Sequence, residues 1–159
     1  MASFLSSTNI SLYTIPVGWI VGMMPHIYAV KTYEETTKKS IDRRNPRGFT
    51  EIVANDQALD STTRARILRG EGAQTNSFEN IGLFACAVVA ANMAGVDAFY
   101  LNALSAGYVL IRFIYNHVYI FNDNAALATA RSVTYALGSA CWITLYVMAG
   151  RRLNSRTLI

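Results

Sequence analysis

Glu79, Arg112 and Arg131 stand inside or at the edge of stretches apolar enough to cross a bilayer. A charge in such a place is expensive, and it is retained for function or paired off. Asn76 and Glu79 are three residues apart, and Arg112, Tyr115 and Tyr119 follow at steps of three and four, so each set shares a helix face. Ser132 adjoins Arg131, Gln74 lies two before Asn76, and Lys38 lies just beyond the first apolar stretch. Gathered in one cavity, these residues suit a small zwitterionic ligand. Arginine holds a carboxylate through two parallel N–H···O bonds. Glu79 suits an ammonium group, or holds an arginine in place. An arginine beside a thiol favours the thiolate and lowers the thiol pKa, and a Ser132 hydroxyl can donate to that thiolate.

Four apolar stretches must position these groups: about 12–30, 78–94, 98–121 and 129–149. Each reaches or nearly reaches the roughly 20 residues that a helix needs to cross the hydrocarbon. Pro16 and Pro25 fall in the first and are expected to bend it. Gly95-Val96-Asp97 and Asn122-Asp123-Asn124 read as tight turns. Short connections imply antiparallel neighbours, so the expected fold is an all-α integral membrane protein, a four-transmembrane-helix bundle in one domain. Small residues such as Ala87, Ala91, Ala106, Gly107 and Gly138 allow close helix approach within or between subunits, and they leave the number of subunits open.

The stretch 31–76 is hydrophilic and holds nine of the fourteen Lys and Arg, with Arg43-Arg44-Asn45-Pro46-Arg47-Gly48 as its loop-like centre. From about Gln57 it reads as a helix extending the second span. By the positive-inside rule this segment is cytoplasmic and both termini face the other side, lumenal if the membrane is a eukaryotic endoplasmic reticulum. All the polar helix ends then meet at the cytosolic face. A small peptide with carboxylates, an amine and a thiol matches them, and glutathione is one such peptide. The apolar flank facing lipid suits a lipophilic second substrate.

The chain is 52% hydrophobic and only 15% charged, below the one quarter usual for a soluble domain. The net charge of +4 does not indicate nucleic acid, because most basic residues share one segment with acids rather than forming a clean stripe. Cys86 and Cys141 show no metal-ligand spacing and read as small hydrophobes. His26 and His117 read as packing or interfacial residues. The first apolar stretch has no charged leader and no clean cleavage site, so it is expected to be retained. Asn9-Ile10-Ser11 is a formal glycosylation acceptor expected to stay unused beside the first span.

Ala73-Gln74-Thr75-Asn76-Ser77-Phe78-Glu79-Asn80 resembles the A-[HQ]-x-N-x-x-E-N signature that opens the second helix of MAPEG proteins, the membrane-associated proteins of eicosanoid and glutathione metabolism. Arg131-Ser132-Val133-Thr134-Tyr135 with Leu137 resembles the start of the fourth helix in the microsomal prostaglandin E synthase branch. Arg112-x-x-Tyr115-x-x-x-Tyr119 resembles the third-helix pattern. The resemblance covers roughly residues 10–150. It implies a homotrimer with active sites between neighbouring protomers and glutathione bound at the cytosolic half of the membrane. By that likeness Asn76 and Glu79 hold the peptide with Tyr115, Tyr119 and Gln74 beside it. Arg131 stabilises the thiolate or developing oxyanion, Ser132 assists, Arg112 supports the site, and Lys38 stands for the basic residue ending the first helix. The chain departs from the pattern at Gly72 and Thr75, where family members carry arginine, and Arg69 matches an earlier arginine.

The resemblance implies a glutathione-dependent transferase, isomerase or peroxidase acting on a lipophilic substrate. Two rivals use the same cavity. One is a glutathione-independent isomerase or cyclase working by acid–base chemistry at Glu79, Tyr119 and Arg131, favoured by Gly72 and Thr75. The other is a non-catalytic lipid-binding scaffold, which has no evident need for Arg131 and Ser132.

Overall fold

The computed structural model describes residues 8–122 and 128–157, and every regular element among them is helical. The chain enters through a 3₁₀ turn at Ser11–Tyr13 and continues into α1, Thr14–Thr37. A second 3₁₀ turn at Pro46–Gly48 leads into the short α2, Phe49–Asn55. Three long helices follow: α3 Ser61–Met93, α4 Ala98–Phe121 and α5 Ala128–Thr157. α3 packs against α1, α4 and α5, while α4 also touches α1 and α5.

Helix ends are set by local chemistry. The Asp60 carboxylate accepts from the backbone N–H of Thr62 and Thr63, which satisfies two of the orphan donors that open α3. Those amides lower its pKa, the Thr63 amide most. Between α3 and α4, Gly95 takes φ 69°, a conformation that suits glycine, and Asp97 caps α4 through the Phe99 amide. The turn expected at Gly95-Val96-Asp97 is therefore present, whereas the one expected around Asp123 and Asn124 lies outside the described residues.

Three boundaries differ from those read in the sequence. α1 runs seven residues past the apolar stretch, to Thr37, where Lys38 at φ 59° turns the chain. The expected extension of the second span is one continuous helix from Ser61. α5 continues to Thr157. Pro16 lies in the first turn of α1, where a missing N–H leaves no helical bond unmade, so only Pro25 interrupts the helix interior. By length and composition two helices pass as membrane spans, Ala98–Phe121 and Thr129–Ser155. Prolines and His26 dilute α1, and Asn76, Glu79, Asn80 and Asn92 dilute α3.

Two apolar clusters hold the helices together. Phe84, Val88, Leu101, Tyr108 and Leu145 lie at the centre of one, with the Phe84 and Tyr108 rings stacked 3.9 Å apart. Tyr33, Phe49, Val53, Leu59 and Ile67 form the other, which ties α2 to α1 and α3. Asp56 fastens that second cluster from outside. It accepts from Tyr33 Oη at 2.9 Å and from Lys39 Nζ at 2.7 Å. The Lys39 ammonium, the Ala58 amide and the Tyr33 hydroxyl together hold its carboxyl at about 2. This clasp sets α2 and the Pro46–Gly48 turn against α1 and α3.

Candidate active site

Asn76 from α3, Tyr115 and Tyr119 from α4, and Arg131, Ser132 and Tyr135 from α5 line one cavity of about 290 Å³. Helical spacing explains the grouping. Arg131 and Tyr135 are one turn apart on α5, as are Tyr115 and Tyr119 on α4. The polar atoms are already linked. Asn76 donates from Nδ2 to Tyr115 Oη at 3.0 Å. Asn80, one turn on, donates to Tyr135 Oη at 3.2 Å and to the Asn76 carbonyl at 2.9 Å. The Arg131 guanidinium lies 4.9 Å over the Tyr119 ring, a cation–π contact that leaves its N–H groups for an anion.

Arg112 stands behind this wall rather than in it. It is 2% exposed, and its guanidinium carbon lies 5.5, 5.2 and 5.1 Å from the rings of Tyr108, Tyr115 and Tyr135. None of its three side-chain nitrogens has a hydrogen-bond partner among the described residues. It is thus a positive charge held by three aromatic faces and by no acid among the described residues, behind the Tyr115–Tyr135 wall, where low dielectric lets it favour a negative charge in front.

Of the other residues singled out in the sequence, three stand away from this cavity in their own chain. Glu79 is exposed on α3 and forms no ion pair with Arg112 or Arg131, because those arginines face the α4–α5 side. Gln74, 200° around the helix from Asn76, donates to the Met23 sulfur at 3.7 Å and lines a different cavity. Lys38 is exposed at the end of α1, where the left-handed turn carries it away.

Three groups near these sites have no functional role in the sequence reading, where His26 reads as a packing or interfacial residue. Tyr135 and Asn80 both occur in the family-like motifs, and their i+4 spacing from Arg131 and Asn76 is the signal that places them. The third is a pair. His26 Nδ1 and Glu71 Oε1 are 2.8 Å apart, one on α1 and one on α3, at side-chain exposures of 25% and 12%. Their separation of 45 residues gives no local signal.

Gly72, where the family pattern has arginine, also finds a physical reason. A Cβ there would stand 3.1 Å from Tyr119 Oη, so the missing side chain leaves room for that phenol.

No curated protein and no solved structure matches the chain significantly. A family model does, over residues 7–151, and its description is MAPEG family. That match spans nearly the whole sequence, including every helix that lines the cavity, and the chain belongs to the MAPEG family.

Proposed function

We propose that this protein is a membrane-bound enzyme that brings glutathione to a lipophilic substrate, in a transferase, isomerase or peroxidase reaction. The observation that carries this is the meeting of Asn76, Tyr119, Arg131 and Ser132, from three helices, in one cavity. The donor set fits the peptide. Arg131, Asn76, Ser132 and the tyrosines offer N–H and O–H groups to carboxylates and sulfur. The cavity wall of one chain holds no acid for the ammonium group, and Glu79 is exposed on α3, outside that wall. The family likeness further implies four membrane-crossing helices, a trimer with sites between neighbouring copies, and a cytosolic opening. Nine Lys and Arg in 31–76 support a cytosolic position for that segment by the positive-inside rule, with both termini on the opposite side, lumenal if the membrane is a eukaryotic endoplasmic reticulum.

Glutathione, when bound, supplies a nucleophilic thiol. Arg131 then fixes positive charge beside the sulfur and beside oxygen that becomes negative in the lipophilic partner. A preorganised charge in a water-poor site acts without reorganisation during the reaction. Ser132 donates a hydrogen bond to the sulfur. Arg112 adds positive potential from behind the Tyr115–Tyr135 wall. Asn76 and Glu79 orient the peptide.

Calorimetry of glutathione binding to the detergent-solubilised protein tests this. Micromolar to low-millimolar binding is expected, weakened in both Arg131→Ala and Glu79→Ala. The Arg131→Ala oligomer is expected to stay assembled and to lose activity. Full activity in that variant would sink the reading. Gly72 and Thr75 favour a second reading, a glutathione-independent isomerase in the same cavity, because two cations of the family pattern are absent. Activity that survives complete removal of thiol is its signature.

A further inference from the structure

The cavity that contains Asn76, Tyr119 and Arg131 holds no group suited to accept a proton near neutral pH. Arginine stays protonated, and the tyrosine, serine and asparagine side chains are not bases there. A thiol that ionises beside Arg131 must nevertheless pass its proton to something. The half-buried base nearest this level of α3 is His26, paired with Glu71. Both line a second cavity of about 470 Å³ with Met23, Arg47, Thr50 and Gln74.

The two cavities flank one strip of α3. Thr75, Phe78, Glu79, Gly82, Cys86, Val89 and Met93 recur at helical spacing, and all are exposed. Glu71 stands one turn before Thr75 at the head of the strip, Gln74 borders the strip on one side and Asn76 on the other, all within two turns. A charged, uncovered strip on a membrane helix is suited to face other copies rather than lipid. When identical subunits close a ring around such strips, the two flanks are different surfaces, and one flank of each copy meets the opposite flank of the next. The Arg131 cavity of one copy then opens toward the His26–Glu71 cavity of its neighbour.

Resting on the glutathione reading above, we infer that His26 of one copy is the proton acceptor for the thiol held at Arg131 of the next. Glu71 is its positioning residue. With the proton on Nδ1 donated to Glu71 Oε1, the His26 Nε2 lone pair is free, and no hydrogen bond to it is formed among the described residues. The S–H bond breaks, its electron pair stays on sulfur opposite Arg131, and the proton goes to Nε2. Glu71 then faces an imidazolium, which its carboxylate stabilises. The charged groups around His26 are Glu71 from α3 and Arg47 from the Pro46–Gly48 turn, while α2 presents the Phe49 ring edge-on at 6.3 Å. Arg47 on the same wall suits a carboxylate of the peptide.

The test reads thiolate directly, by its ultraviolet absorbance when glutathione binds the full-length oligomer. His26→Gln is expected to bind glutathione as before but to lose the neutral-pH thiolate signal, recovering it only in alkali. Turnover at neutral pH falls roughly a hundredfold or more. Glu71→Gln keeps the hydrogen bond and drops the charge, so its thiolate signal also falls at neutral pH while affinity holds. Trimers co-assembled from Arg131→Ala and His26→Gln chains are expected to regain about a third of the signal, because one junction pairs an intact arginine with an intact histidine. A full thiolate signal in His26→Gln, or no recovery in the mixed trimers, overturns the inference and leaves glutathione binding standing. If the unaltered protein binds no glutathione, the functional reading itself fails and this inference fails with it.

Discussion

Tyr119 is held between Gly72 on one side and the Arg131 guanidinium on the other. Its hydroxyl would lie 3.1 Å from a Cβ at position 72, and Arg131 covers its ring at 4.9 Å. The glycine costs helix stability, since alanine in a helix interior is favoured by about 1 kcal/mol. Gly72→Ala is therefore expected to hold or raise the melting temperature. The new methyl group displaces the phenol by a few tenths of an ångström, and Arg131 moves with the ring on which it rests. Glutathione affinity and turnover should both fall. A variant with lower stability and unchanged affinity would show that Gly72 serves packing alone. An arginine at this position would require Tyr119 to give way in the same manner, because its Cβ would also stand 3.1 Å from the phenol oxygen. The departure from the family pattern is thus a local exchange of a cation for an aromatic ring.

At the scale of helices, Pro25 governs how α1 meets its neighbours. Proline has no N–H, so the Val21 carbonyl four residues earlier loses its helical partner. Asn116 of α4 replaces it, donating from Nδ2 to Val21 O at 2.9 Å, and accepts in turn from Ser77 Oγ of α3 at 3.2 Å. One buried amide therefore joins three helices at the interruption. Asn116→Leu leaves the Val21 carbonyl unsatisfied and should cost about 1–3 kcal/mol. In a Pro25→Ala background the helix supplies its own donor, and the same substitution should cost clearly less. Equal costs in both backgrounds, measured by thermal or chemical unfolding, would rule out this role for Asn116. The proline was legible in the sequence, but its partner 91 positions later was not, because no periodicity links α1 to α4. The same contrast runs through the site. Asn76, Tyr115, Tyr119 and Arg131 were readable, since steps of three and four put side chains on one face and the turn at Gly95 fixes how neighbouring helices run. The His26–Glu71 pair, the stand-off between Glu79 and the arginines, and the turning away of Lys38 depend on how helices rotate against each other, which composition does not encode.

The whole molecule leaves α3 half uncovered. Its inner faces bury Ala73, Ser77, Asn80, Phe84, Ala87 and Ala91 against three helices, while Thr75, Glu79, Gly82, Cys86 and Met93 remain open. Met93 is 77% exposed and Glu79 carries a charge, so apolar and charged groups share the strip in a way that suits contact with protein better than contact with lipid. Gly82 has nothing within 4 Å of its Cβ position, which leaves space for another backbone to approach. A ring closed around three such strips brings the three Cys86 side chains near the axis, with no substitution needed to probe them. Cys141 is half-buried on α5, away from the strip. Mild oxidation in the native membrane, or a short bis-maleimide, should therefore join chains in pairs on a non-reducing gel. Cys86→Ser should abolish the pairs, and Cys141→Ser should leave them. Pairs that depend on Cys141 would put α5 at the axis instead and separate the two flanking cavities. Cross-linking through Cys86 would fix α3 at the centre, which is the arrangement that sets Arg131 of one copy against His26 of the next.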